Sequence, residues 1–384
     1  MDLNKKLKKI KIDIIIHCGT HYVKNHNVSD INKLTLANIE FGVILLENLK
    51  SMGVKKFINF STVWQNYNGK QDIAYNLYSA FKLSYSKILD YYIGKFSFIR
   101  FYNLFISDTY GENDNRSKII NLIKPDLVMH LAAESHVDRS INSPWEFIES
   151  NVIGTYNLLE ASRSYFNKLN GGKKSNFRFH HISTDEVFGS LSDIGTFSEK
   201  TPYDPRSPYS ASKASSDHLV RAWHHTYNFP IIITNCSNNF GPWQYPEKLI
   251  PLTISKAINL QTIPIYGDGS NVRDWLFVDD HVDALIISAT KGEIGETYCI
   301  GGFGERTNLQ VVKKICDILD VFCPQNIKYS ELMSFVKDRP GHDKRYSINS
   351  EKIQSKLNWY PKYSFDEALE KTIKWYLENK EFLK

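Results

Sequence analysis

One order of apolar and polar segments occurs twice in this 384-residue sequence. The first copy has strand-like apolar runs at 12–17, 56–60 and 96–103, with helical spacing at 38–49 and from residue 78 to about 92. Short connections between such segments predict parallel strands, because each helix has to cross a face of the sheet to reach the next strand. The sequence therefore predicts an α/β fold.

The second copy has strand-like runs at 127–130, 177–182 and 231–239, and helical spacing at 151–163 and 209–223. We interpret the repeat as a duplicated half-domain, because its period is too long for a solenoid. After residue 239 the composition changes to loop signals and further helices. That change predicts a smaller C-terminal α+β lobe, which would lie over the end of the sheet and grip the substrate.

Two polar groups in the second copy point to proton-transfer chemistry. Thr184, Asp185 and Glu186 follow the second strand directly, and Tyr209 and Lys213 open the next helix. A Tyr and a Lys four residues apart lie on one helical face, where the ammonium can lower the pKa of the phenol. A hydroxyl from a neighbouring strand end can hold the same substrate oxygen. The two carboxylates indicate a second proton transfer on that substrate.

Composition and charge exclude several other classes of protein. The chain is 42% hydrophobic with a net charge of +5, which fits two or three globular domains and gives no basic arm for nucleic acid. Its five cysteines form no C-x-x-C pair, so we expect free thiols and no metal site. No apolar run reaches about 18 residues and no signal peptide is recognisable. We therefore expect a cytoplasmic protein without a membrane segment.

A glycine-rich phosphate loop is missing from this sequence. Neither G-x-G-x-x-G nor G-x-x-G-x-x-G occurs, and the nearest candidate is Gly301-Gly302-Phe303-Gly304, late in the chain. We interpret that stretch as a tight turn. A complete dinucleotide-binding sheet would open with a glycine loop at a helix N-terminus.

From about residue 124 the chain resembles the dTDP-glucose 4,6-dehydratases, which are extended short-chain dehydrogenases/reductases. The Thr-Asp-Glu triplet within 183–189 carries the resemblance, together with 130–140, 207–223, 234–239 and 338–342 in matching order. The resemblance covers about two-thirds of the chain. It implies a Rossmann-like parallel sheet that lacks its first three strands.

Residues 1–123 resemble a fragment of another extended short-chain dehydrogenase/reductase, nearer to the sugar-nucleotide epimerases and reductases. Thr62 is followed there by Val63 instead of an Asp-Glu pair, and we interpret Tyr78 and Lys82 as the relic of a catalytic pair. We predict three domains: a partial Rossmann-like fragment (1–123), the second half of a dinucleotide-binding domain with the catalytic residues (124–245) and a mainly substrate-binding lobe (246–384).

The resemblance implies a reaction with NAD as cofactor. dTDP-glucose would become dTDP-4-keto-6-deoxyglucose by oxidation at C4, elimination of water across C5 and C6, and return of hydride to C6. Tyr209 would take the C4 hydroxyl proton, Lys213 would lower its pKa and hold the nicotinamide ribose, and Thr184 would bond the C4 oxygen. Glu186 would remove the C5 proton, and Asp185 would protonate the departing C6 hydroxyl.

The resemblance also implies two sets of binding residues. Those lining the NAD site would be Leu131, Ala133, Ser135, Ser150, Tyr209, Lys213 and Asn239. Those holding the dTDP-sugar would be Asn238, Lys248, Leu249, Pro264, Ile265, Tyr266, Arg273, Asn308, Arg339 and His342. The superfamily usually dimerises through the helices that carry Tyr-x-x-x-Lys, so we expect a homodimer. The alternative is an inactive fused remnant that binds a nucleotide-sugar or a partner subunit without turnover.

Overall fold

The computed structural model describes residues 12–17, 26–62, 72, 74–106, 120–121, 123–338 and 340–383. The chain divides into two compact units, Met1–Ile123 and Lys124–Lys384. Each unit contains a parallel sheet and helices, which confirms the predicted α/β class. The further division predicted at residue 245 falls inside the second unit and stays a prediction. In the described part of the chain, no helix is both long and apolar enough to cross a membrane.

Parallel strands form the sheet of the first unit as far as its residues are described. These are β1 (Ile14–His17), β2 (Lys56–Thr62) and β3 (Arg100–Ile106), with β2 in the centre. The accompanying helical segments are a 3-10 turn (Val28–Asp30), α1 (Ile31–Thr35), a π-helical turn (Leu36–Glu40), α2 (Phe41–Met52) and α3 (Leu77–Lys95). The side chains of Leu46, Leu49, Phe57 and Leu89 are fully buried in its apolar core.

The strands of the second unit, over residues 123–338 and 340–383, are numbered β4 to β13. They are β4 (Leu127–His130), β5 (Arg178–Thr184), β6 (Ile231–Cys236), β7 (Asn238–Phe240), β8 (Ile263–Tyr266), β9 (Val272–Arg273), β10 (Trp275–Phe277), β11 (Thr297–Ile300), β12 (Arg306–Thr307) and β13 (Met333–Val336). The main sheet has the order β11-β6-β5-β4, with every neighbouring pair parallel. In this sheet β4, β5 and β6 repeat the arrangement of β1, β2 and β3, as the duplication predicts.

The helices that accompany these strands are numbered α4 to α13. They are α4 (Val137–Asn142), α5 (Pro144–Phe147), α6 (Gly154–Phe166), α7 (Gly171–Asn176), α8 (Pro208–Tyr227), α9 (Leu249–Ile258), α10 (Val278–Lys291), α11 (Asn308–Phe322), α12 (Glu351–Leu357) and α13 (Phe365–Glu378). Shorter segments are a π-helical turn (Ile148–Ile153) and 3-10 turns at Asp185–Phe188, Tyr329–Leu332 and Lys380–Leu383.

The C-terminal part of the second unit contains small sheets of two strands each. β7 pairs with β10 and β8 with β13 in parallel, whereas β9 pairs with β12 antiparallel. Helices α9, α11 and α13 pack there around the buried side chains of Phe240, Trp275, Ile315 and Tyr376. This mixture of short sheets and helices confirms the predicted α+β lobe.

The chain leaves the main sheet at Ser237, where the sequence predicts one strand continuing to residue 239. The N–H of Ser237 donates to the carbonyl oxygen of Ile300 (2.9 Å), but the next N–H, that of Asn238, donates to the carbonyl oxygen of Asp274 (3.0 Å). The prediction was wrong because the backbone exchanges its partner strand at this point. Asn238 and Asn239 therefore lie at the step between the main sheet and the lobe.

The third strand of the first unit also begins later than predicted. Helix α3 continues to Lys95, and the N–H of its C-cap residue Phe96 donates to the carbonyl oxygen of Tyr92 (3.0 Å). Phe96 and Ile99 are buried in the core beside that helix end, which explains their strand-like pattern. The strand itself starts at Arg100.

The glycines at 301, 302 and 304 lie in a loop with a bend at Phe303, at the place where the sequence predicts a tight turn. The N–H groups of Gly302 and Gly304 donate to the carboxylate of Asp274 (3.1 and 2.8 Å). A Cβ on Gly302 would lie 2.0 Å from the carbonyl oxygen of Trp275. These glycines are therefore needed for close packing on β10, and their amides already bind a buried carboxylate.

Candidate active site

The carboxyl end of β5 positions the first group of predicted catalytic residues. Thr184 is the last residue of β5, and its Oγ1 accepts a hydrogen bond from the N–H of Glu186 (3.2 Å). This bond caps the 3-10 turn that carries Asp185 and Glu186. The turn ends at Gly189, where φ is 88° and a Cβ would meet the carbonyl oxygen of Asp204 at 2.5 Å. The Thr-Asp-Glu triplet is thus fixed at the end of the strand.

The first turn of α8 positions the second group. Ser207 caps this helix, because its hydroxyl accepts from the N–H of Ser210 at 3.0 Å. The side chains of Tyr209 and Lys213 are both buried. Lys213 Nζ donates to the carbonyl oxygen of Ile182 in β5 (2.8 Å), and the phenol of Tyr209 lies within hydrogen-bonding reach of Thr184. The structure therefore brings the five predicted catalytic residues to one place.

The surroundings of Asp185 favour the protonated form of its carboxyl group. Its side chain is only 1% exposed, and its Oδ2 has no hydrogen-bond partner among the described residues. Burial raises the pKa of Asp185 well above its usual value, and the nearby charges of Glu186 and Asp274 raise it further. Glu186 is only half-buried. The two carboxyl groups consequently occupy different surroundings, which can hold them in different protonation states.

The pKa of Tyr209 differs from the sequence expectation. Burial raises this pKa well above the usual value, and the charge of Glu186 raises it further, whereas the hydrogen bond with Thr184 lowers it. The ammonium of Lys213 points to the backbone of Ile182 instead of the phenol. Because desolvation outweighs the other effects, the protein side chains alone leave Tyr209 protonated.

Several buried polar atoms around this site have no hydrogen-bond partner in the part of the chain that the structure describes. They include Oδ2 of Asp185, Oγ of Ser183 and Ser237, and Oδ1 of Asn238 and Asn239. Unpartnered buried polar atoms are costly, and a site that binds a polar ligand is one place where they occur. Lys213 uses one of its three N–H donors for Ile182, which leaves two for a ligand.

The predicted NAD-lining residues flank the end of β4 and the start of α8. Leu131 and Ser135 are exposed and Ala133 is half-buried in the segment after β4, while Ser150 lies in the π-helical turn. The side chain of Asn151 links the segment after β4 to α8. Its Oδ1 accepts from the N–H of Glu134 (2.9 Å), and its Nδ2 donates to Ser212 of α8 (2.8 Å).

The predicted sugar-nucleotide residues lie mainly in the small sheets of the lobe. Lys248 precedes α9, and its Nζ donates to the carbonyl oxygen of Ser135 (3.0 Å). Leu249 begins α9 and Asn308 begins α11, while β8 contains Pro264, Ile265 and Tyr266. His342 contacts Asp338 through Nδ1 (2.7 Å). Arg339 lies outside the described residues.

The guanidinium of Arg273 contacts an aromatic ring and two backbone carbonyl groups. Its guanidinium stacks on the ring of Tyr346 at 4.2 Å and donates to the carbonyl oxygens of Val272 (2.7 Å) and Asp343 (3.0 Å). It also lowers the pKa of Asp185 electrostatically, against the larger effect of burial. Tyr346 and Asp343 were not identified from the sequence, although the matching stretch at 338–342 ends immediately before them.

A buried polar cluster behind Lys213 was not identified from the sequence. Asp217 is four residues after Lys213 on α8, and its carboxylate contacts His181 of β5 and Tyr203. The spacing could have revealed it, because a charged residue four positions after Lys213 lies on the same, buried face of the helix. The neighbouring His180 is also fully buried, and its Nε2 is hydrogen-bonded to Thr234 (3.0 Å).

The first unit repeats part of this geometry. Lys82 Nζ donates to the carbonyl oxygen of Phe60 (3.2 Å), the residue that precedes Ser61-Thr62, as Ile182 precedes Ser183-Thr184. Tyr78 is half-buried one helical turn before Lys82. Residues 63–71, which follow Thr62, lie outside the described residues.

Known proteins with the same sequence pattern identify the family. A family model described as GDP-mannose 4,6 dehydratase matches residues 99–372, and one described as NAD dependent epimerase/dehydratase family matches residues 1–124. A dTDP-glucose 4,6-dehydratase of Haemophilus influenzae is 57% identical over 266 residues, spanning 68% of this chain and 79% of that protein. The chain belongs to the dTDP-glucose 4,6-dehydratase family.

Further members of the dTDP-glucose 4,6-dehydratase family agree with this assignment. A dTDP-glucose 4,6-dehydratase of Escherichia coli K12 is 56% identical over 265 residues, covering 67% of this chain and 73% of that protein. The crystal structure of the Bacillus anthracis dTDP-glucose 4,6-dehydratase in complex with NAD superposes with a TM-score of 0.66 and 35% identity, covering 97% of this chain and all of that chain. The match of 1–124 to a second family model confirms that the first unit resembles another extended short-chain dehydrogenase/reductase.

Proposed function

We propose that this protein is an NAD-dependent dTDP-glucose 4,6-dehydratase, a lyase that forms dTDP-4-keto-6-deoxyglucose. The observation that carries the proposal is the pairing of the fully buried Asp185, whose pKa is raised, with the half-buried Glu186, beside Tyr209 and Thr184. Oxidation of an alcohol alone needs one base. A neighbouring acid and a second carboxylate suit the removal of water from the same sugar.

The residues at the end of the main sheet fit the reactive end of NAD. The two remaining N–H donors of Lys213 suit the hydroxyls of a ribose, and the buried Oδ1 of Asn239 suits a polar group of the cofactor. Leu131, Ala133, Ser135 and Ser150 line the same side of the unit in this proposal. When bound, NAD would supply the hydride acceptor and a positive charge.

The first proton transfer is assigned to Tyr209 and Thr184. Thr184 donates a hydrogen bond to the C4 oxygen of the sugar, and the phenolate form of Tyr209 receives the C4 hydroxyl proton. Since burial raises the pKa of Tyr209, this step needs added positive charge near the phenol. The buried ammonium of Lys213, one helical turn away, provides part of that charge.

The elimination is assigned to the two carboxyl groups. Glu186 removes the C5 proton, which a ketone at C4 makes acidic, and Asp185 gives its proton to the departing C6 hydroxyl so that water leaves. The raised pKa of Asp185 suits this role, because burial favours the protonated form of this carboxyl group. Each carboxyl therefore acts in the protonation state that its surroundings favour.

The nucleotide part of the substrate is assigned to the lobe. Arg273 is already oriented by Tyr346 and two backbone carbonyl groups, and a fixed guanidinium suits the bidentate binding of a diphosphate. Lys248 adds a second positive charge. The other residues proposed to contact the dTDP-sugar are Asn238, Leu249, Pro264, Ile265, Tyr266, Asn308, Arg339 and His342.

A homodimer and a cytoplasmic location complete the proposal. Tyr227 exposes apolar surface at the end of α8, the helix that carries Tyr-x-x-x-Lys in this unit, and Ile153 and Tyr156 beside and on α6 are exposed as well. Cys236, Cys299 and Cys316 are buried free thiols, which suit a reducing compartment.

The test is to purify the 384-residue chain, measure its NAD content after acid extraction, and incubate it with dTDP-glucose. We expect bound or readily bound NAD and a product lighter than the substrate by one water. Binding of dTDP-glucose without turnover, with NAD supplied, would contradict the proposal and support an inactive nucleotide-sugar-binding remnant. That second candidate rests on the missing glycine loop in the sequence.

A further inference from the structure

Lys213 places a positive charge where little water can reach it. Its side chain is 4% exposed, and within the described residues its ammonium has a single hydrogen bond, to a backbone carbonyl oxygen. Burial lowers the pKa of Lys213, while the charge of Asp217 raises it. A buried lysine without a compensating charge tends to lose its proton. The protonation state of Lys213 therefore depends on the charged groups around it.

Asp217 lies one helical turn beyond Lys213 and is completely buried. Its Oδ1 accepts from His181 Nε2 (3.0 Å), and its Oδ2 accepts from the hydroxyl of Tyr203 (2.7 Å) and from Asn235 Nδ2 (3.3 Å). Three donors from β5, β6 and the segment before α8 thus hold both oxygens. This arrangement favours the ionised carboxylate and fixes its position.

The charge of Asp217 acts on Lys213 as well as on the donors that hold its oxygens. Burial lowers the pKa of His181, so its imidazole donates as the neutral form. Burial raises the pKa of Asp217, whereas the hydrogen bond and the electrostatic interaction with His181, followed by the charge of Lys213, lower it. Arg221 is another nearby cation, and it donates to the hydroxyl of Tyr203 (2.8 Å) instead of to the carboxylate.

We propose that Asp217 is a positioning residue that holds Lys213 as an ammonium ion, oriented toward Ile182 and the cofactor side of the site. Its carboxylate acts through space, as the counter-charge within a buried cluster. The equivalent residue of the first unit is Ser86, because Lys82 corresponds to Lys213. The consequence for catalysis rests on the proposed function, whereas the coupling between the two side chains does not.

A double-mutant cycle in urea unfolding tests the coupling without any activity. The variants are Asp217→Asn, Lys213→Met and the double variant, each compared with the wild type at about pH 7. We expect Asp217→Asn to lower the unfolding midpoint strongly when Lys213 is present. In the Lys213→Met background, where the carboxylate would itself be unpaired, we expect little or no loss. Hydrogen bonds lost from His181, Tyr203 and Asn235 are common to both backgrounds and cancel.

Equal losses in the two backgrounds would overturn the proposal. If Asp217→Asn alone does not fold, a folded Lys213→Met/Asp217→Asn protein supports the proposal, and failure of both variants overturns it. Since the cycle needs no substrate, absence of dehydratase turnover in the wild type would refute the proposed function and leave this result standing.

The pH profile of turnover supplies a second readout that a purely structural role would not change. The titratable and charged groups facing the pair, besides the pair itself, are His130, His181, Tyr203, Tyr209, Arg221 and Cys236. We expect kcat/KM of Asp217→Asn to fall at a pH about 1–2 units lower than in the wild type, as Lys213 deprotonates. A uniform loss at every pH would overturn the proposal.

Discussion

Lys213 Nζ and the carbonyl oxygen of Ile182 are joined by a hydrogen bond of 2.8 Å, which ties α8 to the end of β5. In the first unit the corresponding bond joins Lys82 Nζ to the carbonyl oxygen of Phe60 (3.2 Å). The duplication has therefore preserved the attachment of the helix as well as the sequence pattern. The two units differ in the residues near this hydrogen bond, since Asp185 and Glu186 follow Thr184 whereas Val63 follows Thr62.

Substitution of the two lysines separates their roles. Lys213→Met is expected to lower kcat/KM for dTDP-glucose by at least about tenfold, because a charge-assisted hydrogen bond contributes roughly 1.5–3 kcal/mol. Lys82→Met is the matched control, with the same lost bond to a strand carbonyl, and it is expected to leave kcat/KM unchanged. Steady-state kinetics of both purified variants measures this difference in kcat/KM. Equal losses would show that the first unit takes part in catalysis.

Asp185→Asn should block elimination more than oxidation. Tyr209 and Thr184 remain in place, but the acid that protonates the C6 hydroxyl is gone, so kcat should fall about 10²–10⁴-fold. Rapid mixing with dTDP-glucose should then show reduced nicotinamide accumulating on the enzyme. Asp193→Asn, at an exposed carboxylate, is the control. An Asp185→Asn enzyme with normal kcat would exclude Asp185 as the acid.

The same substitution should change stability in a pH-dependent way. The folded-state pKa of Asp185 lies above its unfolded value, so the native protein binds the extra proton and loses stability as pH rises through that interval. Asp185→Asn should therefore gain unfolding free energy relative to the wild type between about pH 4 and pH 7, with little difference at the acid end. Urea unfolding at both pH values measures this. A difference that does not vary with pH would contradict it.

Gly302→Ala tests the interpretation of the late glycine stretch. The added Cβ would meet the backbone of Trp275 and Leu276 at 2.0–2.8 Å, where neither segment can yield easily, so we expect a loss of about 3 kcal/mol in unfolding free energy. Gly172→Ala in α7 has open space around its Cβ and should be neutral or stabilising by up to about 1 kcal/mol. Thermal unfolding compares the two. Similar stabilities would show that Gly302 is not packed as described.

The proposed catalytic groups could be predicted from the sequence because their placement follows local rules. A strand end fixes Thr184 and the two residues after it, and helical spacing places Tyr209 and Lys213 on one face. The protonation states could not be read in this way. The raised pKa of Tyr209 depends on its burial and on the approach of Glu186 across the fold.

Partners brought together from distant parts of the chain were also missed. Asp217 meets His181 and Tyr203 only after β5 and α8 have packed, and the stacking of Arg273 on Tyr346 joins β9 to a segment more than 70 residues later. The break between β6 and β7 at Ser237 has the same origin, since it follows a change of partner from Ile300 to Asp274. Such features are set by tertiary packing.

The proposed reaction oxidises C4, eliminates water and returns the same hydride to C6 within one site. The most direct test uses dTDP-glucose deuterated at C4, incubated with the purified 384-residue chain and NAD, with the product analysed by NMR. We expect a 4-keto-6-deoxy product that carries the deuterium in its C6 methyl group. A product without deuterium at C6, or unchanged substrate beside bound NAD, would contradict it.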